Sequence, residues 1–177
     1  MNSLFAVANI QKVLEYLIYF PGTQFLANDI QKKVKLSRGG VNQSLRELAA
    51  RGYIYREKKG KIFLYSLNHT NPVVKQFKVL KNIEWLQPLI REASAVAEKI
   101  ILFGSSARGE DSQESDLDIF ILARNADQAN DLMKKYKNRR KLQPIIRALS
   151  GYADMEKKEP VFYEEINRGI TLWERKE

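Results

Sequence analysis

Apolar positions recur three and four residues apart at the start of the chain: Leu4, Val7, Ile10, Val13, Leu14, Leu17 and Ile18. That spacing lines one face of an α-helix, and the "FPG" at 20–22 ends it. A second short helix is predicted over "LANDIQKKVK", starting at Ala27 or Asn28, with Ile30, Val34 and Leu36 inward. Ser37 in "LSRGG" is a candidate cap for a third helix, "VNQSLRELAARGY", whose Val41, Leu45, Leu48 and Ala49 form an apolar stripe closed by Gly52. The period then changes from helix to strand. In "YIYREKKGKIFLYSL" the alternation of Tyr53 and Tyr55, then Ile62, Leu64 and Ser66, around "KKGK" predicts a β-hairpin with a basic tip.

Helical spacing returns after Asn71 and Pro72, a helix entry, with Val74, Phe77, Leu80 and Ile83 in one stripe and Trp85, Leu89, Ile90 and Val96 in a second. Pro88 is a candidate kink. No Gly/Ser-rich linker intervenes, which predicts a helical connector packed on both neighbours. "KIILFG" and "DLDIFILA" then have the length and composition of buried strands, separated by a glycine- and serine-rich turn from Gly104 to Gly109. "KLQPIIRAL" is strand-like after a basic helix, and "PVFYEEINRGITLWE" predicts a closing helix and strand. The fold class expected is α/β (α+β), divided into residues 1–69, a connector at 70–96 and a module at 97–177.

Charge sharpens this division. The 177 residues carry a formal net charge of +9, and residues 1–75 hold twelve Lys/Arg against four Asp/Glu. The excess therefore sits almost wholly in the first part, as expected of a module that meets a polyanion. Without cysteine, thiolate nucleophiles, disulfides and cysteine-ligated zinc are excluded, and His69 alone is a poor basis for a histidine triad or multi-histidine metal site. No apolar run approaches the roughly 20 residues that span a bilayer. Residues 1–20 lack the pattern of an export signal, so a cytoplasmic location and no membrane partner are expected.

The order helix, helix, turn, helix, basic hairpin over residues 5–68 resembles the winged helix-turn-helix of bacterial and archaeal transcription regulators. The resemblance implies double-stranded DNA as a partner. Ser37, Arg38, Asn42, Gln43 and Arg46 would approach the groove, and Lys58, Lys59 and Lys61 the phosphates. A protein-docking domain with a solvated basic face is the competing reading.

The chemistry concentrates in "LFGSSARGEDSQESDLDIFIL" at 102–122. Side chains alternate along a strand, so Asp116 and Asp118 share a face. Two carboxylates so placed repel each other, and a divalent cation, Mg²⁺ or Mn²⁺, removes that repulsion. Gly104, Ser105 and Ser106 would let backbone and hydroxyl groups approach a triphosphate, with Arg108 balancing its charge. Gly104 and Ser105, ten residues, then Asp116, Leu117 and Asp118 resemble the signature of nucleotidyltransferases related to DNA polymerase β, in particular the minimal ones. The resemblance implies a mixed sheet flanked by helices. It also implies an NTP, ATP foremost, as ligand, and Asp116 and Asp118 as catalytic residues that hold two Mg²⁺ while a nucleoside monophosphate passes to a hydroxyl acceptor.

Family members usually add a third carboxylate from a later strand. Gln143 stands at the matching position here, with Asp154 or Glu156 as substitutes from nearby, while Glu164 and Glu165 are expected to be solvated. Two functions therefore remain open: an enzyme that transfers nucleoside monophosphates, or a non-catalytic DNA-binding regulator whose nucleotidyltransferase-like domain binds nucleotide or mediates assembly. A HEPN-type protein partner is implied by the small relatives, and a homodimer by winged-helix regulators.

Overall fold

The computed structural model describes residues 8–112, 114–136 and 140–176, and the chain divides into two compact units, Met1–Lys75 and Gln76–Glu177. In the first, helix α1 (Ala8–Leu17) buries Ile10, Val13, Leu14 and Leu17, the later half of the predicted stripe; Leu4 and Val7 lie outside the described residues. Strand β1 (Phe25–Leu26), which the sequence pattern did not reveal, leads directly into α2 (Ala27–Val34), where Ile30 is buried. Helix α3 (Arg38–Ala50) begins three residues earlier than its apolar stripe. The Ser37 hydroxyl accepts from Gly40 N–H at 3.1 Å, and that cap lets the helix start at Arg38.

The hairpin is β2 (Ile54–Lys59) and β3 (Ile62–Leu67), joined by a two-residue turn in which Gly60 takes φ +61° at the first position. Strand β3 lies between β1 and β2, antiparallel to both. Its buried face has the opposite parity to the apolar alternation in the sequence. Ile54, Tyr65 and Leu67 are inside, whereas Tyr55 and Ile62 are 53% and 49% exposed. The aliphatic stem of Ile62 gives no burial signal of its own at a turn tip, so propensity misled the reading of the face.

The second unit is built on a mixed sheet. Helix α4 (Pro72–Ala93) is a single span through Pro88. Val74 and Phe77 of its predicted stripe are buried and Leu80 is exposed, while Lys78 and Asn82 add two buried polar residues. Strands β4 (Ala97–Leu102), β5 (Leu117–Ala123), β6 (Leu142–Ala148) and β7 (Ile170–Glu174) stand in the order β6-β5-β4-β7. β5 and β6 are parallel, and the other pairings are antiparallel. The parallel crossover is α6 (Ala126–Lys135), capped by the Asn125 side chain on the N–H groups of Asp127 and Gln128.

Both faces of the sheet are covered. Leu86, Leu89 and Ala93 of α4 pack with Ile100, Leu102, Leu117, Ile119 and Ile121 on one side. On the other, Ile101, Phe103, Phe120 and Leu122 meet Met155 and Ile166, with Phe162 and Tyr163 against them. Met155 comes from α8 (Met155–Lys158) and Phe162, Tyr163 and Ile166 from α9 (Pro160–Asn167), while Tyr152 of α7 (Leu149–Ala153) packs on the same side. Gly169 turns α9 into β7 where a Cβ would lie 2.6 Å from the Leu102 carbonyl oxygen, so only glycine fits. Pro144 is compatible with β6 because that strand is at the sheet edge. Lys141 accepts from Leu117 N–H at 3.0 Å, so alternate residues from 141 onward face β5 and Pro144 turns outward.

Candidate functional site

The "GSSAR" stretch is a short helix, α5 (Gly104–Arg108), closed by Gly109 at φ +67°, and not the open turn expected from its composition. Gly104 itself sits at φ +67°, and a Cβ there would lie 3.2 Å from Asp118 Cγ and closer still to its Oδ2. The glycine is thus required twice, for its backbone angle and for the room it leaves an aspartate oxygen. Ser105 is half-buried, whereas Ser106 has no solvent-accessible surface. The Ser106 hydroxyl donates to the Asp116 carbonyl at 3.3 Å, and its own carbonyl accepts from Asn82 Nδ2 at 3.1 Å. This corrects its expected role: Ser106 holds the loop that carries Asp116 and is too enclosed to meet a phosphate.

Asp118 is the second residue of β5 and Asp116 the residue just before the strand. The interaction of the two carboxylates, together with that of Glu165 and the opposing pull of Arg108, acts on an Asp118 carboxyl that burial already holds above its ordinary pKa. The strand pairing fixes what lies beside them. Gln143 is the register partner of Asp118, and Lys141 Nζ is 2.7 Å from Asp116 Oδ2. Since paired residues of a parallel ladder share a face, the acidic pair is flanked by an amide and an ammonium. Sequence reasoning reached Gln143 and missed Lys141, whose place follows only from the register.

Beside Gly104 opens a cavity of about 450 Å³, lined also by Arg108, Glu164, Glu165 and Arg168. Arg108 bonds Glu110 at 3.1 Å and reaches Glu165 at 4.0 Å; Arg168 bonds Glu164 at 2.9 Å. Glu164 and Glu165 are exposed, yet Glu165 is close enough to influence Asp118. Asp154 is paired with Lys158 at 2.7 Å, and Glu156 is exposed on α8. Among the described residues no group of three or more His, Cys, Asp or Glu is placed to hold a metal ion. The pair fits one hard divalent cation by its donor chemistry, with Gly104 shaped around one of its oxygens.

The loop ahead of the pair is anchored by a buried polar cluster that the sequence did not disclose. Asp111, with its side chain 3% exposed, receives Arg140 Nη2 at 2.8 Å on Oδ2 and Asn82 Nδ2 at 3.2 Å on Oδ1, with Lys78 Nζ 3.5 Å from Oδ1. Lys78 also donates to the Asp111 carbonyl, and Arg140 Nη1 to Asn82 Oδ1 at 2.7 Å. Burial lowers the Lys78 pKa against the opposing attraction of Asp111. The hint available in the sequence was that Lys78 and Asn82 lie four residues apart within a helix of otherwise apolar inward positions.

In the first unit, Ser37 is committed to capping α3. Arg38 and Asn42 line a cavity of about 500 Å³ with Ala27, Asn28, Gln31 and Val41. Gln43 and Arg46 are exposed, with Arg46 Nε donating to Asn42 O at 3.3 Å. Lys58, Lys59 and Lys61 are exposed at the hairpin tip, Lys59 reaching Gln24 Oε1 at 3.3 Å and Glu57 at 3.7 Å. Among the described residues no helix is long and apolar enough to cross a membrane.

Comparison with solved structures finds distant similarity. A possible transcriptional regulator from Methanosarcina mazei Go1 is 15% identical, with 52% of this chain and 80% of that one covered and a TM-score of 0.38. A cysteine-to-serine variant of Lactococcus lactis ZitR in complex with DNA is 15% identical over 53% of this chain and 64% of its own, with a TM-score of 0.40. A candidate nucleotidyltransferase from Sulfolobus solfataricus is 16% identical over 57% and 87%, also at 0.40. No curated protein matches the chain. The family profile described as polymerase beta, nucleotidyltransferase matches residues 84–177, just over half of the sequence and the whole stretch that holds Gly104, Asp116, Asp118 and Gln143. The chain belongs to the polymerase beta nucleotidyltransferase family.

Proposed function

We propose that the second unit binds a nucleoside triphosphate as its divalent-cation complex and that the first binds double-stranded DNA, making the chain a nucleotide-responsive DNA-binding regulator. The observation that carries this reading is the make-up of the Asp116–Asp118 face: Gly104 leaves room for the Asp118 carboxylate, Lys141 pairs with Asp116, and the register partner of Asp118 is the neutral Gln143, the residue that the resemblance sets at the third-carboxylate position. Asp116 and Asp118 would hold Mg²⁺ or Mn²⁺, and Ser105 and Arg108 would meet the phosphates. The ion supplies charge neutralisation for the triphosphate when bound. Asp118 contributes an anionic oxygen whose protonation competes with the ion, and Arg108, more than half exposed, can exchange Glu110 for a phosphate oxygen.

The reading of the first unit as a winged helix-turn-helix rests on the order of its helices and hairpin, on the capped α3 and on the charge of residues 1–75. Arg38, Asn42, Gln43 and Arg46 would face the groove, and Lys58, Lys59 and Lys61 the backbone. A second reading is transfer of a nucleoside monophosphate to a hydroxyl acceptor, and the cavity beside Gly104, with Arg108, Glu165 and Arg168 on its walls, favours it by offering an acceptor a place. A HEPN-type partner and a homodimer stand on the family and fold resemblances alone.

Two measurements test these readings. Calorimetry with ATP and Mg²⁺ is expected to show uptake that Asp116→Ala with Asp118→Ala abolishes, and incubation with labelled ATP and lysate is expected to leave no transferred label; transfer lost in the same variant would install the enzyme reading instead. For DNA, log K is expected to fall linearly with log salt, and replacing Lys58, Lys59 and Lys61 by alanine to reduce the slope by about 3, near 0.9 for each phosphate contact. An affinity indifferent to salt would make the first unit a protein-docking module.

A further inference from the structure

Strand β6 and the residue just before it set two side chains against the acidic pair: Lys141 bonds Asp116, and Gln143 is the register partner of Asp118. We propose that Lys141 stands in for the second cation of this site, so that the chain holds its nucleotide with a single divalent ion; this rests on the nucleotide-binding reading above and specifies its metal content.

The argument is one of position and charge. Lys141 Nζ lies 2.7 Å from Asp116 Oδ2, a charge-assisted contact that occupies that oxygen. A divalent ion seeking the same oxygen would meet an ammonium at contact distance. Gln143 adds no charge at the next rung. The two carboxylates and the ammonium therefore sum to one negative charge, which Glu165 and Arg108, opposite in sign, leave unchanged, where a third carboxylate in place of Gln143 and no lysine would bring three. Among the described residues nothing supplies the deficit, since no third acidic, histidine or cysteine side chain joins the pair at ligating distance.

On the Asp118 side the situation differs. No cation lies within ion-pair distance of its carboxylate among the described residues, and the missing Cβ of Gly104 gives its Oδ2 the room it occupies. This is the carboxylate left open to an ion. Lys141 itself is 78% exposed, so it is held at Asp116 by attraction and not by packing, and removing it should disturb nothing else.

The test counts ions. The full chain is dialysed to equilibrium against Mn²⁺ and the non-hydrolysable α,β-methylene analogue of ATP, and manganese and nucleotide retained by the protein are measured. One Mn²⁺ per bound nucleotide is expected for the parent, and two for Lys141→Ala with Gln143→Asp, both changes being at exposed positions. Lys141→Ala alone, which removes the ammonium without adding charge, is expected to tighten Mn²⁺ about tenfold at low salt. Two ions on the parent, or a single ion of unchanged affinity in both variants, would overturn the inference while leaving nucleotide binding intact. Failure of the parent to retain nucleotide at all would remove the nucleotide-binding reading itself, and the inference with it.

Discussion

Replacing Asp111 by asparagine keeps the volume of the side chain and removes one negative charge from a place where two positive ones are enclosed. The side chains of Asp111, Lys78 and Arg140 are 3%, 5% and 10% exposed, and the Asp111 carboxylate meets both cations directly, with Asn82 beside it. With the charge gone, Arg140 at 2.8 Å and Lys78 at 3.5 Å face an amide that can accept at one atom only. Breaking a buried pair by removing one partner costs about 3–5 kcal/mol, because the remaining charge stays desolvated. Here the Lys78 pKa is already depressed by burial, so part of the loss is relieved by deprotonation, and about 3 kcal/mol is the expected outcome. For a unit of this size that corresponds to roughly 12–24 °C in Tm. Both tryptophans, Trp85 and Trp173, lie in the second unit, so their fluorescence during urea unfolding reports it without interference from the first. Combining Asp111→Asn with Lys78→Met should recover at least about 1 kcal/mol, a non-additivity expected of groups in contact. A single-variant loss below about 1 kcal/mol would refute the claim that Asp111 neutralises this cluster.

Gly104→Ala should destabilise the second unit by at least about 1–2 kcal/mol from the positive φ alone, and the clash with Asp118 should abolish Mn²⁺ uptake in calorimetry; binding equal to the parent's would disprove the close approach. Asp118 has its pKa raised by burial first and then by Asp116 and Glu165, so the folded chain takes up a proton there more readily than the unfolded one. The stability linked to that proton is complete below the unfolded pKa and lost as pH rises through the folded one. Asp118→Asn should therefore raise Tm near neutral pH, with the gain vanishing toward acid, and a gain independent of pH would contradict the linkage. Ser37→Ala removes the cap of α3 and should cost about 1 kcal/mol, measured by thermal unfolding followed by circular dichroism.

Much of the architecture was legible because burial writes a period into the chain. The apolar stripe of α1, the Ser37 cap, the hairpin with its basic tip and the strands around "LFG" and "DLDIFIL" were all readable from the sequence. Gln143 was singled out by the family resemblance, and that it is the register partner of Asp118 came only with the strand pairing. What escaped was whatever depends on partners far apart in sequence. Their four-residue spacing is the one local hint that Lys78 and Asn82 turn inward, and their burial is tolerated through Asp111 and Arg140, 33 and 58 residues away by their respective bonds. The face of the hairpin was misread because both parities carry aromatic and aliphatic residues, and only packing chooses between them. Lys141 looked like one more cation of a basic stretch until the parallel pairing set it against Asp116.

The outward turn of Pro144 reaches further than the strand that contains it. A border strand normally offers a row of free amide donors on which a foreign segment can grow an intermolecular sheet. In β6 one donor of that row is missing at its third residue, close to Gln143 and the acidic pair. Self-association along this margin is thereby discouraged, and the border nearest the carboxylates is kept from being zipped shut by a second polypeptide.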